Sequence, residues 1–203
     1  AFTENVTADN SPVTGETVEN GTQTVQVGGT TENITINNGG TQWVNSGGTA
    51  NDTTISGGIQ NVYGTAENTT INGGTQYVSS DGTAKDTTIN NGGTLNVRNG
   101  GNATGVDQKN GGALIASTDK TTVVKGSNSL GTFSIENGLA DNVLLENGGR
   151  LDVVNGTTAN TTTINNGGMQ YVSGTAENTT ISGGTQYVYS GGTASGTTIS
   201  DGG

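Results

Sequence analysis

The chain has 203 residues, 37 of them Gly, and only 28% are hydrophobic with two Phe and one Trp, too little apolar surface for a conventional globular core. Seventeen acids against six bases give a formal net charge of −11, which excludes a surface built to neutralise nucleic-acid phosphates. With no His and no Cys, the usual zinc ligands, Ser-His and Cys-His catalytic pairs and disulfides are ruled out, and no cofactor is implied.

In chain order, residues 1–16 carry the only proline, Pro12, lie out of register with the later residues, and are expected to form an N-terminal cap. The start, Ala1-Phe2-Thr3, is no signal peptide. No apolar run approaches the roughly 18 residues of a spanning helix, so this fragment is not expected to insert into a membrane.

From residue 17 to 203 the sequence repeats. The Gly-Gly pairs that end at Gly40, Gly58, Gly74, Gly93, Gly112, Gly149, Gly168, Gly184 and Gly203, with Gly21 and the unpaired Gly131 filling in, fall at intervals of 19, 18, 16, 19, 19, 19, 18, 19, 16 and 19. A fixed period of this length is the mark of a solenoid. Two positions after each marker lie Gln23, Gln42, Gln60, Gln76, Leu95, Leu114, Phe133, Leu151, Gln170 and Gln186; four after it lie Val25, Val44, Val62, Val78, Val97, Ala116, Ile135, Val153, Val172 and Val188. The two columns share the inward face of a strand by the period-2 rule. The residues between them, including Thr24, Trp43, Tyr77, Asp152, Tyr171 and Tyr187, read as one outward column. A second short strand per unit, as in Thr53-Thr54-Ile55, carries a second inward column of Ile, with a small Ala at the corner before it.

The glutamine column comes in blocks: four Gln, four apolar residues, two Gln. A buried Gln amide needs hydrogen-bond partners, and a Gln directly above and below supplies them as a ladder. Block-wise switching therefore implies that residues about 19 apart touch. The expected architecture is all-β, a right-handed parallel β-helix of about ten coils with a mostly 19-residue repeat. Residues 113–147 are degenerate coils: the Gly-Gly pair is lost, apolar residues rise, Gln108 stands where Ile is expected, and a bend or insertion loop is expected near residues 119–129. The last residues, Asp201-Gly202-Gly203, open another unit, so a longer array is expected.

Candidate chemistry is sparse. The Asp residues share no column, against a calcium nonapeptide repeat, and no Gly cluster is followed by Lys-Ser/Thr, against a phosphate loop. Glu67 with Asp86, or Asp141 with Glu146, are the carboxylate pairs a glycosidase would need, but both read as solvated. A β-helical enzyme acting on polysaccharide, and an ice-binding threonine array, stand as alternatives to a non-enzymatic surface protein. The aromatics Trp43, Tyr77, Tyr171 and Tyr187 are candidates for a self-association or binding face, by stacking on sugars or on a partner. Ser46, Ser56, Ser79, Ser80, Ser173, Ser182, Ser190 and Ser200 sit at or near corner glycines as candidate O-glycosylation sites.

The stretches Asn68-Thr69-Thr70-Ile71-Asn72-Gly73-Gly74-Thr75-Gln76-Tyr77-Val78-Ser79-Ser80 and Ala140-Asp141-Asn142-Val143-Leu144-Leu145-Glu146-Asn147-Gly148-Gly149-Arg150-Leu151-Asp152-Val153 resemble passenger domains of the self-associating autotransporters of diffuse-adherence adhesin type. The resemblance covers nearly the whole chain after about Val18. It implies export through a C-terminal β-barrel absent from this sequence, and display on the cell surface with release as a further expectation. Its implied partners are host-cell surfaces, copies of the chain on neighbouring cells, and a dedicated heptosyltransferase that modifies Ser or Thr. Adhesion, autoaggregation and biofilm formation are the implied activities, and the corner serines are the positions matching the family's modified ones.

Overall fold

In the computed structural model, which describes residues 2–203, every regular element is a β-strand, and the strands stack as a β-solenoid of about ten turns with roughly 19-residue spacing. Ala1, the first residue of the expected cap, lies outside the described residues. The coils have three strand faces, where the sequence pattern suggests two, although Thr54–Val62 and Thr70–Val78 run unbroken from the isoleucine face onto the next glutamine face and Asn102–Gln108 spans the alanine and isoleucine faces. The glutamine face holds Gly21–Val25, Thr41–Val44 and their successors. The alanine face holds Thr30–Glu32, Thr49–Asn51, Thr65–Glu67 and Thr83–Lys85, and the isoleucine face holds Thr35–Asn37 and Thr88–Ile89, with their equivalents in the other coils. The alanine column is thus not a corner but the inward side of a strand of its own: Thr31, Ala50, Ala66, Ala84 and Ala103 face one another in register.

The extra bend has a local cause. Between the alanine and isoleucine strands one residue turns the chain with positive φ: Asn33 (56°), Asp52 (56°), Asn68 (56°) and Asp86 (59°). Asn and Asp are the non-glycine residues that tolerate this left-handed conformation best. Elsewhere glycine is required by crowding as well as by φ. Gly74 (φ +79°) would place a Cβ 2.1 Å from the carbonyl oxygen of Gly58 one coil away.

Register follows the period. Gln23 pairs with Gln42, Gln42 with Gln60, Gln60 with Gln76, Gln76 with Leu95, and Leu95 with Leu114. Val18, Ile36, Ile55, Ile71 and Ile89 stack likewise on the isoleucine face, and Gln108 takes the next place against Ile89. The core is the axial column of these fully buried Val, Ile, Leu and Ala side chains.

Two expectations are corrected by this register. The opening residues are not out of step: Phe2–Val6 pairs with Gly21–Val25, with Glu4 opposite Gln23 and Val6 opposite Val25, because the 19-residue spacing already holds there. And Gly131 does not open a coil. Val123–Asn128 turns back antiparallel along Gly131–Glu136, which pairs antiparallel with Leu139–Asp141 before the parallel stack resumes. Phe133 and Ile135 are therefore buried from a hairpin on the alanine face, where Ile135 meets Val124 and Ala140, and they take no place in the glutamine and valine columns. The insertion expected near residues 119–129 is this hairpin, with Ser129 and Leu130 at its tip. On the glutamine face the coil before the hairpin meets the coil after it directly, but two residues displaced: Ile115 faces Arg150 and Ala116 faces Leu151. A slip of two keeps every inward side chain inward, whereas a slip of one would turn the strand inside out. On the isoleucine face the sheet is interrupted, and Leu144–Leu145 begins a separate four-stranded sheet.

Candidate functional site

The polar interior comes first, because it holds the outer faces in place. Four amides form a continuous ladder in which each Nε2 donates to the Oε1 of the coil before it: Gln42 to Gln23, Gln60 to Gln42 and Gln76 to Gln60, all at 2.8 Å. Gln186 donates likewise to Gln170 at 2.9 Å. Sequence reasoning placed this ladder but missed its second member, a column of buried threonines. Gln60 Nε2 also donates to Thr53 Oγ1 (3.3 Å), Gln170 to Thr162 (3.1 Å) and Gln186 to Thr179 (3.2 Å), while Thr87 donates to Gln76 Oε1 (2.9 Å). One coil carries a trace of it: where Leu95 replaces Gln, Val106 takes the place of the inward Thr, although the coil of Leu151 keeps Thr162 and that of Gln23 carries Ile34.

At its N-terminal end the ladder runs into acid. Gln23 Nε2 donates to Glu4 (2.8 Å) and approaches Glu16 (3.4 Å). Hydrogen bonding to Glu4, then burial, then the Glu4 charge raise the Glu16 carboxyl to about 6.

The exposed aromatics lie on the outward side of the glutamine face but not in one column. Trp43, Asn61, Tyr77, Asn96 and Ile115 succeed one another along the stack, and past the slip that line continues into Arg150 and Met169. Asp152, Tyr171 and Tyr187 belong to the neighbouring line that passes through Ser117. The single stripe inferred from sequence is thus two patches, displaced by the two-residue slip. In the first, Trp43 stacks with Tyr63 (centroids 6.1 Å apart) and the Arg98 guanidinium lies 4.7 Å from the centre of the Tyr77 ring. In the second, Tyr171 stacks with Tyr187 (4.9 Å) and Tyr189 (6.0 Å) under the Arg150 guanidinium (4.1 Å). Arg150 Nε also donates to Asp152 Oδ1 at 2.8 Å, which holds the guanidinium above its ordinary pKa.

The candidate serines fall on two different edges. Ser46, Ser80 and Ser190 stand at the turn after the glutamine face, all exposed, with Ser173 half-buried at the shortened version of that turn. Ser79, in the same turn as Ser80, is only 7% exposed. Ser182 and Ser200 close isoleucine-face strands on the opposite edge, and Ser56 stands at the equivalent place inside Thr54–Val62; Ser200 is exposed and the other two half-buried.

Residues 64–112 and 125–181 match the model of a protein family described as "Adhesin of bacterial autotransporter system, probable stalk". The chain belongs to this family. The unmatched residues 113–124 between the two stretches contain the strand after which the pairing slips. Over 65 residues, 32% of its length, the adhesin chain is 54% identical to the probable autotransporter YpjA of Escherichia coli (strain K12), and that match spans 4% of the relative. It is also 35% identical to a crystallised TibC-catalysed hyper-glycosylated fragment of TibA, covering 99% of this chain and 90% of the other, with a TM-score of 0.48. No helix among the described residues is long and apolar enough to cross a membrane.

Proposed function

We propose that this chain is the exported, surface-displayed part of an autotransporter adhesin, non-enzymatic, which attaches cells to host surfaces and to one another and so promotes aggregation and biofilm. The observation that carries this reading is the stacking itself. Successive coils present outward side chains, Thr, Asn, Ser and aromatics among them, about 4.8 Å above one another. Individually weak contacts between two such columns add along their length, which is how multivalent surfaces gain strength. The coil that runs from Phe2–Val6 through Thr17–Val18 serves as the cap expected of residues 1–16. Both aromatic patches, with Trp43 and Tyr77 in one and Tyr171 and Tyr187 in the other, contribute to self-association. Exposed corner serines, Ser46, Ser80, Ser190 and Ser200 foremost, are acceptors for O-linked heptose added by a dedicated heptosyltransferase; the hyper-glycosylated state of the TibA fragment supports this reading.

Net charge of −11 opposes pairing of like with like, so added salt should strengthen aggregation. Cells displaying the chain are expected to settle faster as salt rises from low ionic strength, and no settling at any salt would reject the adhesive reading. Intact mass after co-expression with the heptosyltransferase should rise by whole heptose increments; an unchanged mass rejects the modification.

A further inference from the structure

Two hollows along the edge where the glutamine face passes into its following turn meet at Tyr63. One, of about 560 Å³, is walled by Gln26, Val27, Trp43, Asn45, Ser46 and Tyr63. The other, of about 600 Å³, continues past Tyr63 to Arg98, Asn99, Ile115 and Asp152. Together they form a trough along the stack from the coil of Gly21–Val25 to that of Arg150–Val153, seven strands or about 30 Å at the usual strand spacing.

The lining has a definite chemistry. Trp43 and Tyr63 offer flat apolar rings, nearly parallel at 19°, each 37% exposed. Beside them run planar amides already fixed by one another: Asn45 Nδ2 donates to Gln26 Oε1 (3.2 Å), and Gln26 Nε2 to Asn5 Oδ1 (3.3 Å). These bonds leave the Asn45 carbonyl oxygen and the second hydrogen of each amide available, so donors and acceptors stand ready at little ordering cost. Arg98 is the single cation in the lining, and the carboxylate at the far end, Asp152, is held by Arg150. In a chain of net charge −11 this balance disfavours an acidic polymer. Flat apolar surfaces edged by neutral donors and acceptors match a pyranose ring, which has apolar faces and hydroxyl edges, and an elongated trough matches several rings in line.

We propose that this trough binds a neutral oligosaccharide laid along the stack, with Trp43 and Tyr63 stacking on its rings. The proposal names the chemistry of one receptor for the adhesive surface, and it rests on the adhesive reading only for its biological use.

Trp43 is the sole tryptophan, so its emission reports the trough directly. The unmodified chain would be titrated with cellohexaose, maltohexaose, chitohexaose and lacto-N-tetraose, with polygalacturonate as the acidic comparison. At least one neutral sugar should give a saturable change, weakened about threefold to tenfold in Tyr63→Ala, near wild type in Tyr63→Phe, and unaffected by Tyr187→Ala in the other patch. Circular dichroism checks that each variant keeps its strands. The proposal is overturned by no saturable change with any neutral sugar, by equal binding in Tyr63→Ala, by preference for polygalacturonate, or by a change that follows protein concentration, which would mean that a second copy occupies the trough. Settling of cells that display Tyr63→Ala tests self-association separately, since aggregation can persist when sugar binding is lost.

Discussion

Replacing Gln60 by Leu tests the amide ladder at its centre. Gln60 is fully buried, its Nε2 held by Gln42 Oε1 and Thr53 Oγ1 and its Oε1 by Gln76 Nε2. Leucine of similar size would strand the Gln42 oxygen and the Gln76 amide, each of which has its closest partner in Gln60, and would remove the longer bonds of the Thr53 and Thr69 hydroxyls. The two stranded amide groups alone cost about 2–6 kcal/mol, and the better burial of leucine returns about 1–2 kcal/mol. The net loss expected is about 1–4 kcal/mol, read from urea unfolding followed by circular dichroism and Trp43 emission. Adding Gln76→Leu should cost less than the two single changes together by about 1 kcal/mol or more, because it removes a stranded amide and joins the apolar column to Leu95. That is the situation nature already shows at Leu95 and Leu114, where no amide is left to satisfy. A Gln60→Leu protein within about 0.5 kcal/mol of wild type, or strict additivity in the cycle, would refute the ladder as a cooperative unit.

Phe133→Ala should destabilise the chain by about 3–5 kcal/mol in the same urea assay, since the hairpin buries that ring in the core; a loss below about 1 kcal/mol would mean that the hairpin is not packed as described. Glu16 gives a pH dependence of definite sign. Its folded pKa, about 6, lies above its ordinary value of 4.5, so its contribution favours folding most below about pH 4.5 and is lost as pH rises through about 6. Amide exchange at Val6 and Val25 should accordingly be slower, after correction for intrinsic rates, at pH 4.5 than at pH 7, and Glu16→Gln should flatten the difference; an unchanged profile in that variant would remove Glu16 from the explanation.

Much of the stack was legible because side chains one period apart must be compatible. The Gln-to-Leu switch at Leu95 locates a contact that no single unit could reveal, and the paired registers agree with it. What escaped has specific causes. The Ala strand was hidden because a three-residue element such as Thr65–Glu67 has too few alternations to display a period, and its closing turn depends on one residue, Asn68, adopting positive φ. An insertion was expected near residues 119–129, but the antiparallel strand after it was hidden by coincidence: Gly131 falls 19 residues after Gly112, and Phe133 and Ile135 copy the inward alternation of a coil although they lie in an antiparallel strand. The offset between the aromatic patches was invisible for a related reason. A two-residue slip preserves the in-and-out pattern, so nothing in the sequence around Ile115 or Arg150 announces it. The serines looked equivalent because each lies within three residues of a glycine, yet the two kinds of corner near which they lie stand on opposite edges.

The hairpin also bears on how such a chain assembles without error. Gly64–Ile71 and Gly174–Ile181 are the same octapeptide, letter for letter, and each runs from the alanine face onto the isoleucine face on either side of the hairpin. Layers so alike are interchangeable, and a growing stack gains nearly as much by accepting the wrong one as the right one, the known hazard of repeat arrays. The antiparallel pair is the layer for which no duplicate exists in the chain. On the alanine face the coils that precede it end against Val123–Asn128 and those that follow begin from Leu139–Asp141, so an exchange of layers across it would have to replace antiparallel pairs that no other coil among the described residues makes.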